Sequence, residues 1–391
     1  MRVLVIGTGA VGGVLCKLLA EGKEVEEVVC CDIKENEKFN SKKIKFKKIS
    51  VLDKQEFLKF LKEIKPDVVV NAVLPIFNTV ILEYCLKAKT NYLDMASFWD
   101  FDKNPRARSP YKFEELDYHE KFKQNDIFGL MLAGVSPGIT NLLAREASEQ
   151  LDETDDIKMR LIEDTGGKEL FFSWSKEWLI DEIDTKPLIY RDGKFKIVEP
   201  FTGEEEFDFP APFNRRKVAL LCQDEVGSIP LYIKVKNVDL KAYDNMGEVA
   251  KMLFNLGLTS KKKIEINKTE ISPREFLCKV LPDVPKDFTK KKYENAQFVL
   301  VVEASGKKNG KKKTIRYSAI FPKQKEINKL KLNASFISYP TALAAKLFVL
   351  SIPKIKNKGV FPPEALDEDA RQEIIKELKK YCKLNVQIKN G

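Results

Sequence analysis

Over the first third of the chain, short apolar runs alternate with stretches of helical periodicity. Arg2 to Ile6 is a β-branched run of the kind that forms a buried parallel strand. A helix from about Val11 to Glu21 follows, and Gly22 supplies its stop. Val25 to Cys31 is a second strand ending at Asp32, and Ile44 to Ile49 a third. Asp53 caps a helix to Ile64, with Glu56 three residues on as in a capping box. Pro66-Asp67 ends that helix before a fourth strand, Val68 to Val70. A helix from Thr79 to Ala88, a strand at Tyr92 to Asp94, a helix over Phe113 to Gln124 and a strand from Ile127 to Leu132 complete the series. This alternation predicts a mostly parallel sheet covered on both faces, an α/β fold.

After Leu132 the rhythm changes. Ala133 to Asn141 reads AGVSPGITN, a tight loop with a helix cap that leads into a helix to about Gln150. Beyond it the pattern predicts a strand at Ile157 to Ile162 and a helix at Phe171 to Ile183 carrying Trp174 and Trp178 as core. A further strand is expected at Ile233 to Leu240 and a helix at Glu248 to Leu256. Gln297 to Ala304 and Lys313 to Phe321 flank Asn309-Gly310, a strong hairpin signal. The second domain is therefore expected to be a mostly antiparallel sheet with helices. Tyr339 opens an apolar helix to about Leu350, expected to pack back on the first domain. Residues 359 to 364 read as a turn before a polar helix, Asp367 to Tyr381. The expected divisions are 1–135, 136–335 and 336–391.

Composition narrows the class. The 391 residues are 43% hydrophobic, with 19 Gly and 18 Pro, which is globular rather than disordered. No apolar run reaches the ~18 residues of a membrane span. The start reads as strand and glycine turn rather than a signal peptide. Seven cysteines without regular spacing argue against a zinc site or a disulfide framework and for reduced thiols in a cytoplasm. The net charge of +10 comes from scattered lysine runs that lack the aromatics of a nucleic-acid surface, so no nucleic-acid partner and no membrane partner is expected. The single histidine, His119, lies in a helical stretch and reads as a surface or partly packed residue.

The candidate chemistry begins at GTGAVGG. Gly7, Gly9 and Gly12 sit between the first strand and the first helix. They provide the tight turn, the close approach to a pyrophosphate and the helix packing of a Rossmann dinucleotide site. Ala10 and Val11 open the helix, whose first N–H groups face the phosphates. Asp32 follows Gly12 by 20 residues, where an acid accepts hydrogen bonds from the ribose hydroxyls; this favours NAD. Lys34 beside it suits a 2′-phosphate, so NADP stays open. Asn71, Ala72, Leu74 and Pro75 follow the fourth strand on the side expected to meet the nicotinamide ribose; the alternative is a turn fixed by Pro75.

The chain resembles the saccharopine dehydrogenase family. The likeness rests on GTGAVGG with Asp32, the Asn71 to Pro75 run, TNYLDMAS (90–97), AGVSPGITN, GLTS (257–260), ISPREF (271–276) and GVFPPEAL (359–366). It spans almost the whole chain and is nearer to the branch with carboxynorspermidine-type and L-lysine 6-dehydrogenase-type enzymes. It implies a Rossmann domain, an inserted α+β domain for substrate and dimerisation, and a C-terminal segment returning to the first domain. It implies a homodimer and NAD(P)-dependent chemistry at a carbon–nitrogen bond, joining an amine to a semialdehyde or keto acid, or the reverse, in polyamine or lysine metabolism. The chain departs from the family where a His-Glu and a later Arg are usual: Asp224 and Leu231 stand there. Arg215 and Arg216 are the candidate replacements for binding a carboxylate, with a solvated basic pair as the alternative. Asn141 is a further candidate substrate contact. Glu225, Asp94 and Asp164 are the candidate acid–base groups, each also readable as a cap or surface charge. A dinucleotide-binding sensor or scaffold without turnover is the alternative to an enzyme.

Overall fold

Arg2–Ile6 (β1) is flanked by Glu27–Asp32 (β2) and, on its other side, by a fourth strand, and all three run parallel. The structure, a computed structural model, describes residues 1–34, 39–98, 113–167 and 171–390. Between β1 and β2 lies Gly12–Glu21 (α1), and Ile44–Lys48 (β3) closes that edge of the sheet. Lys54–Ile64 (α2) starts where the Asp53 carboxylate accepts the Glu56 N–H, as the sequence predicts. Val68–Asn71 (β4), Asn78–Ala88 (α3) and Asn91–Asp94 (β5) follow. His119–Gln124 (α4), Phe128–Leu130 (β6) and Ile139–Ser148 (α5) end this series. The helix expected from Phe113 begins instead as a 3-10 turn over Glu114–Tyr118.

Glu153–Asp164 (β7) starts a second sheet and is longer than its apolar stretch suggests, because its first half pairs through polar residues. Lys176–Asp184 (α6) is capped by Ser175, five residues after the expected start at Phe171. Leu188–Arg191 (β8), Lys194–Ile197 (β9), Glu205–Asp208 (β10) and Arg215–Leu220 (β11) have no clear alternation, and sequence reading did not find them. Glu225–Tyr232 (α7), Val235–Asp244 (β12) and Gly247–Asn255 (α8) come next. A small hairpin, Ile264–Ile266 (β13) with Thr269–Ile271 (β14), precedes Pro273–Val280 (α9). Gln297–Lys308 (β15) and Lys311–Ile320 (β16) form the hairpin predicted at Asn309-Gly310, followed by Gln324–Asn328 (α10).

The last stretch carries Ser338–Leu350 (α11), Gly359–Phe361 (β17), Glu368–Leu378 (α12) and Lys383–Asn390 (β18). The expected turn at 359–364 is thus in part a strand. β17 joins β6 in parallel and completes a seven-stranded sheet in the order β17-β6-β5-β4-β1-β2-β3. His119 Nδ1 lies 2.8 Å from the Val360 carbonyl oxygen, which can only accept, so that nitrogen carries the proton. The second sheet has the path β10-β11-β12-β7-β15-β16-β18, with β8 paired to β12 and β9 to β8.

The chain divides into two compact units. The first takes residues 1–146, 227–233 and 338–381; the second takes 147–226, 234–337 and 382–391. The first unit therefore extends through most of α5, past the expected limit at 135. The C-terminal piece does not belong to it whole, because β18 pairs with β16 in the second sheet. Inside the second unit, Arg160 is fully buried yet charged. It is held by Asp239 at 2.6 Å and by Glu205 at 2.6 Å; Arg191 also pairs with Asp239. Buried charges survive only when paired in this way, and here the pairs tie β7, β8, β10 and β12 together.

Candidate functional site

The turn between β1 and α1 is built from glycine for two separate reasons. Gly7 has φ +97°, and a Cβ there would lie 2.8 Å from the Ala72 carbonyl oxygen. A Cβ on Gly12 would lie 2.1 Å from the Gly7 carbonyl oxygen. The protein's own packing thus requires both. Gly9 is different: a Cβ there would meet no described atom within 4 Å. Its residue and Ala10 are exposed, and no side chain caps α1 at the half-buried Val11. That open space before an uncapped helix start fits a pyrophosphate.

Asp32 closes one side of this cradle. One carboxylate oxygen accepts the Thr8 N–H at 2.8 Å and the Thr8 hydroxyl at 3.1 Å; the other accepts the Ile33 N–H at 2.7 Å. It thereby fixes the glycine turn as well as presenting charge at the end of β2. On the other side, Ala72 touches the glycines and Asn71 shapes its turn by accepting the Val73 N–H at 3.0 Å. Leu74 is half-exposed, and Pro75 is buried at the start of a single 3-10 turn.

Asp94, at the end of β5, is buried. It is 1% exposed, and its Oδ1 accepts the Leu132 N–H at 2.7 Å. Leu132 has φ +61°, a conformation costly for a leucine, and this bond helps hold it. Burial, with the negative charge of Glu115 next, pushes the Asp94 carboxyl well above its usual range. Asn141 is likewise fully buried. Its oxygen accepts the Gly138 N–H at 2.9 Å, and its amide donates to Ser228 and Glu364, each at 3.0 Å. The Asn141 side chain thus locks the loop 134–138 inside the first unit.

The other expected groups lie in the second unit. Arg215 is exposed and grips Asp208 across the β10–β11 pair at 2.8 and 3.2 Å, so its fork is already matched to a carboxylate of the protein. Arg216 points to the other face and lies over the Tyr243 ring at 5.6 Å. Asp164 ends β7 and accepts the Gly166 N–H at 2.8 Å, which shapes the turn beyond. Glu225, the first residue of α7, is fully buried.

Around Glu225 the structure gathers acids that the sequence reading missed. Half-buried Glu182 on α6 is pushed up to about 8, chiefly by withdrawal from solvent, then by the charge of Glu163, with Glu225 adding to it. Glu163 on β7 is pushed up to about 7 by burial and by Asp244, its register partner on β12. Carboxyls that titrate near neutrality in one place can exchange protons at working pH. Glu163 is adjacent to Asp164 in β7. Glu182 lay in a helix read only for its tryptophans.

Fold and cradle define a dinucleotide-binding α/β unit joined in one chain to a mostly antiparallel α+β unit. The model of the saccharopine dehydrogenase NADP binding domain matches residues 3–130, and that of the saccharopine dehydrogenase C-terminal domain matches residues 134–384. The chain belongs to the saccharopine dehydrogenase family. It is similar to the carboxynorspermidine synthase of Vibrio alginolyticus, 28% identical over 398 residues, covering 94% of this chain and 93% of the relative. It is 29% identical over 304 residues to the carboxynorspermidine synthase of Vibrio cholerae, covering 72% and 73%. It is 26% identical over 393 residues to a carboxyaminopropylagmatine dehydrogenase of Synechocystis, covering 94% and 93%. Apo saccharopine dehydrogenase (L-Glu forming) from Saccharomyces cerevisiae shares the fold, with a TM-score of 0.68 at 14% identity over 100% of this chain and 99% of that one.

Proposed function

We propose that this protein is a nicotinamide-dinucleotide-dependent oxidoreductase of polyamine biosynthesis. It reduces the imine formed between an amine and a semialdehyde or keto acid, or runs the reverse. The observation that carries the reading is the glycine turn with room at Gly9, set in a chain matched along its length by relatives named carboxynorspermidine synthase and carboxyaminopropylagmatine dehydrogenase. When bound, the dinucleotide supplies a hydride to the imine carbon. The chain must then manage a proton at nitrogen and the water of imine formation. Glu225 and Asp164 are our candidates for that work, and Glu182, held up at about 8 by withdrawal from solvent, is a further one. The charges of Glu163 and Glu225 add to the proton affinity of Glu182. Asp32 favours NAD over NADP, since its charge opposes a 2′-phosphate. A homodimer in a reducing cytoplasm is the setting we infer; none of the described cysteines is joined in a disulfide.

The test is consumption of NADH and NADPH with a panel of amines mixed with semialdehydes or keto acids, short diamines with aspartate semialdehyde included. Consumption that requires both partners, faster with NADH, is the expected result. Binding of either dinucleotide with no consumption for any pair, in either direction, removes the enzyme reading and leaves a binding protein.

A further inference from the structure

Four buried polar side chains form one directional hydrogen-bond chain inside the first unit. Asn71, Asn78, Ser97 and Glu115 are each 3% exposed or less. The Asn71 oxygen accepts the Val73 N–H at 3.0 Å, so its amide nitrogen must face away from the turn. That nitrogen donates to Asn78 Oδ1 at 2.7 Å. Asn78, its oxygen engaged, donates from Nδ2 to the Ala96 carbonyl at 2.9 Å and to Glu115 Oε1 at 2.8 Å. Ser97 donates to the same Glu115 oxygen at 2.8 Å. Each amide orientation is thus dictated by the next, and only an acceptor at position 115 completes the series.

The near end of this chain is the turn that abuts the glycine cradle. Ala72 Cβ lies 3.0 Å from where a Cβ on Gly12 would be, and the Ala72 carbonyl oxygen 2.8 Å from one on Gly7. A side chain at either glycine would collide with this turn, so turn and cradle lie close together.

We propose that Glu115 is a positioning residue for dinucleotide binding, acting through Asn78 and Asn71 on the turn at Ala72 and Val73. The proposal rests on the reading that the first unit binds a nicotinamide dinucleotide. Glu115 touches no ligand in this account; it sets the amide directions that hold the turn against the cradle. Its burial pushes the carboxyl above the usual range, while the bonds from Asn78 and Ser97 pull it back. Either protonation state can accept at Oε1, and so can a glutamine.

The experiment is NADPH and NADH binding, followed by nicotinamide fluorescence, on the full chain and on Glu115→Ala, Glu115→Gln, Asn71→Ala and the double variant Glu115→Ala/Asn71→Ala. Glu115→Ala is expected to weaken binding about tenfold, the scale of losing a buried hydrogen-bond acceptor. Glu115→Gln is expected to stay within about twofold of the parent. The double variant should bind no worse than the weaker single one, because both cut the same chain. Asn78→Asp sets an acceptor against Glu115 and should give the same loss, which keeps the test open if Glu115→Ala fails to fold. Parent-like binding by Glu115→Ala, or multiplied losses in the double variant, overturns the proposal. A parent chain that binds neither dinucleotide overturns the functional reading, and this proposal with it.

Discussion

At the residue scale, the acids of this chain have been sorted by their surroundings rather than by their position at strand ends. Asp94 and Asp164 both end a strand, but the first is sealed under Leu132 and the second shapes a partly exposed turn. Glu182 is one whose environment makes a measurable demand. Its folded value of about 8 lies above the 4.5 of an exposed glutamate, so folding favours the protonated form. Its contribution to stability is fully present below about pH 4.5 and is lost as pH rises toward 8. Glu182→Gln removes the titration and should therefore gain on the parent as pH rises. A whole pKa unit corresponds to about 1.4 kcal/mol, and screening of this half-buried group reduces the total. We expect the variant to gain on the order of 1–2 kcal/mol relative to the parent between pH 5 and pH 8.5, read from urea midpoints. An equal difference at both pH values would sink the idea that Glu182 is a strained acid. If Glu182 also carries the reaction's proton, the same variant loses turnover at both pH values.

At the element scale, the hairpin between β15 and β16 is a case where local chemistry decides. Asn309 and Gly310 have φ of +52° and +73°, the pair of left-handed residues that a two-residue turn between twisted strands requires. Gly310→Ala forces a Cβ into that conformation and should cost about 1 kcal/mol, seen as a lower urea midpoint with the slope unchanged. A neutral result would mean that the strand pairing, not the turn, sets the register. This hairpin was legible for the same reason that β1, α1 and the capped α2 were: each is specified by residues next to one another. β17 was not legible. Gly359 to Phe361 is only three residues long and becomes a strand by pairing with β6, more than two hundred positions earlier. The Glu115 chain was hidden likewise, since Asn71, Asn78, Ser97 and Glu115 show nothing in sequence of the directions their amides take. The glycine cradle could be read because its requirements are local; the acids around Glu182 could not, because three separate elements bring them together.

At the scale of the molecule, the last nine residues test how the chain is shared between its units. The polypeptide leaves the first unit after α12 and finishes as β18 on the edge of the second sheet. Its apolar positions fall opposite those of β16: Leu384 across from Ala319, Val386 from Tyr317, Ile388 from Ile315. The three β16 residues are buried, whereas Val386 and Ile388 are about half-exposed, so β18 acts more as a cover for the sheet than as part of its core. An uncovered β16 would present a long unpaired edge, a known route to aggregation. Ending the chain at Cys382 removes the β18 ladder and its partial apolar burial, a loss on the order of 3 kcal/mol. The expected phenotype is a lower melting temperature and concentration-dependent aggregation, with the NADPH dissociation constant unchanged, because every residue of the cradle belongs to the first unit. Scanning calorimetry, light scattering and nicotinamide fluorescence on the same preparation separate these effects. A truncated chain that stays soluble but binds NADPH more weakly would show that β18 supports the first unit, and the division of labour drawn here would have to be redrawn around it.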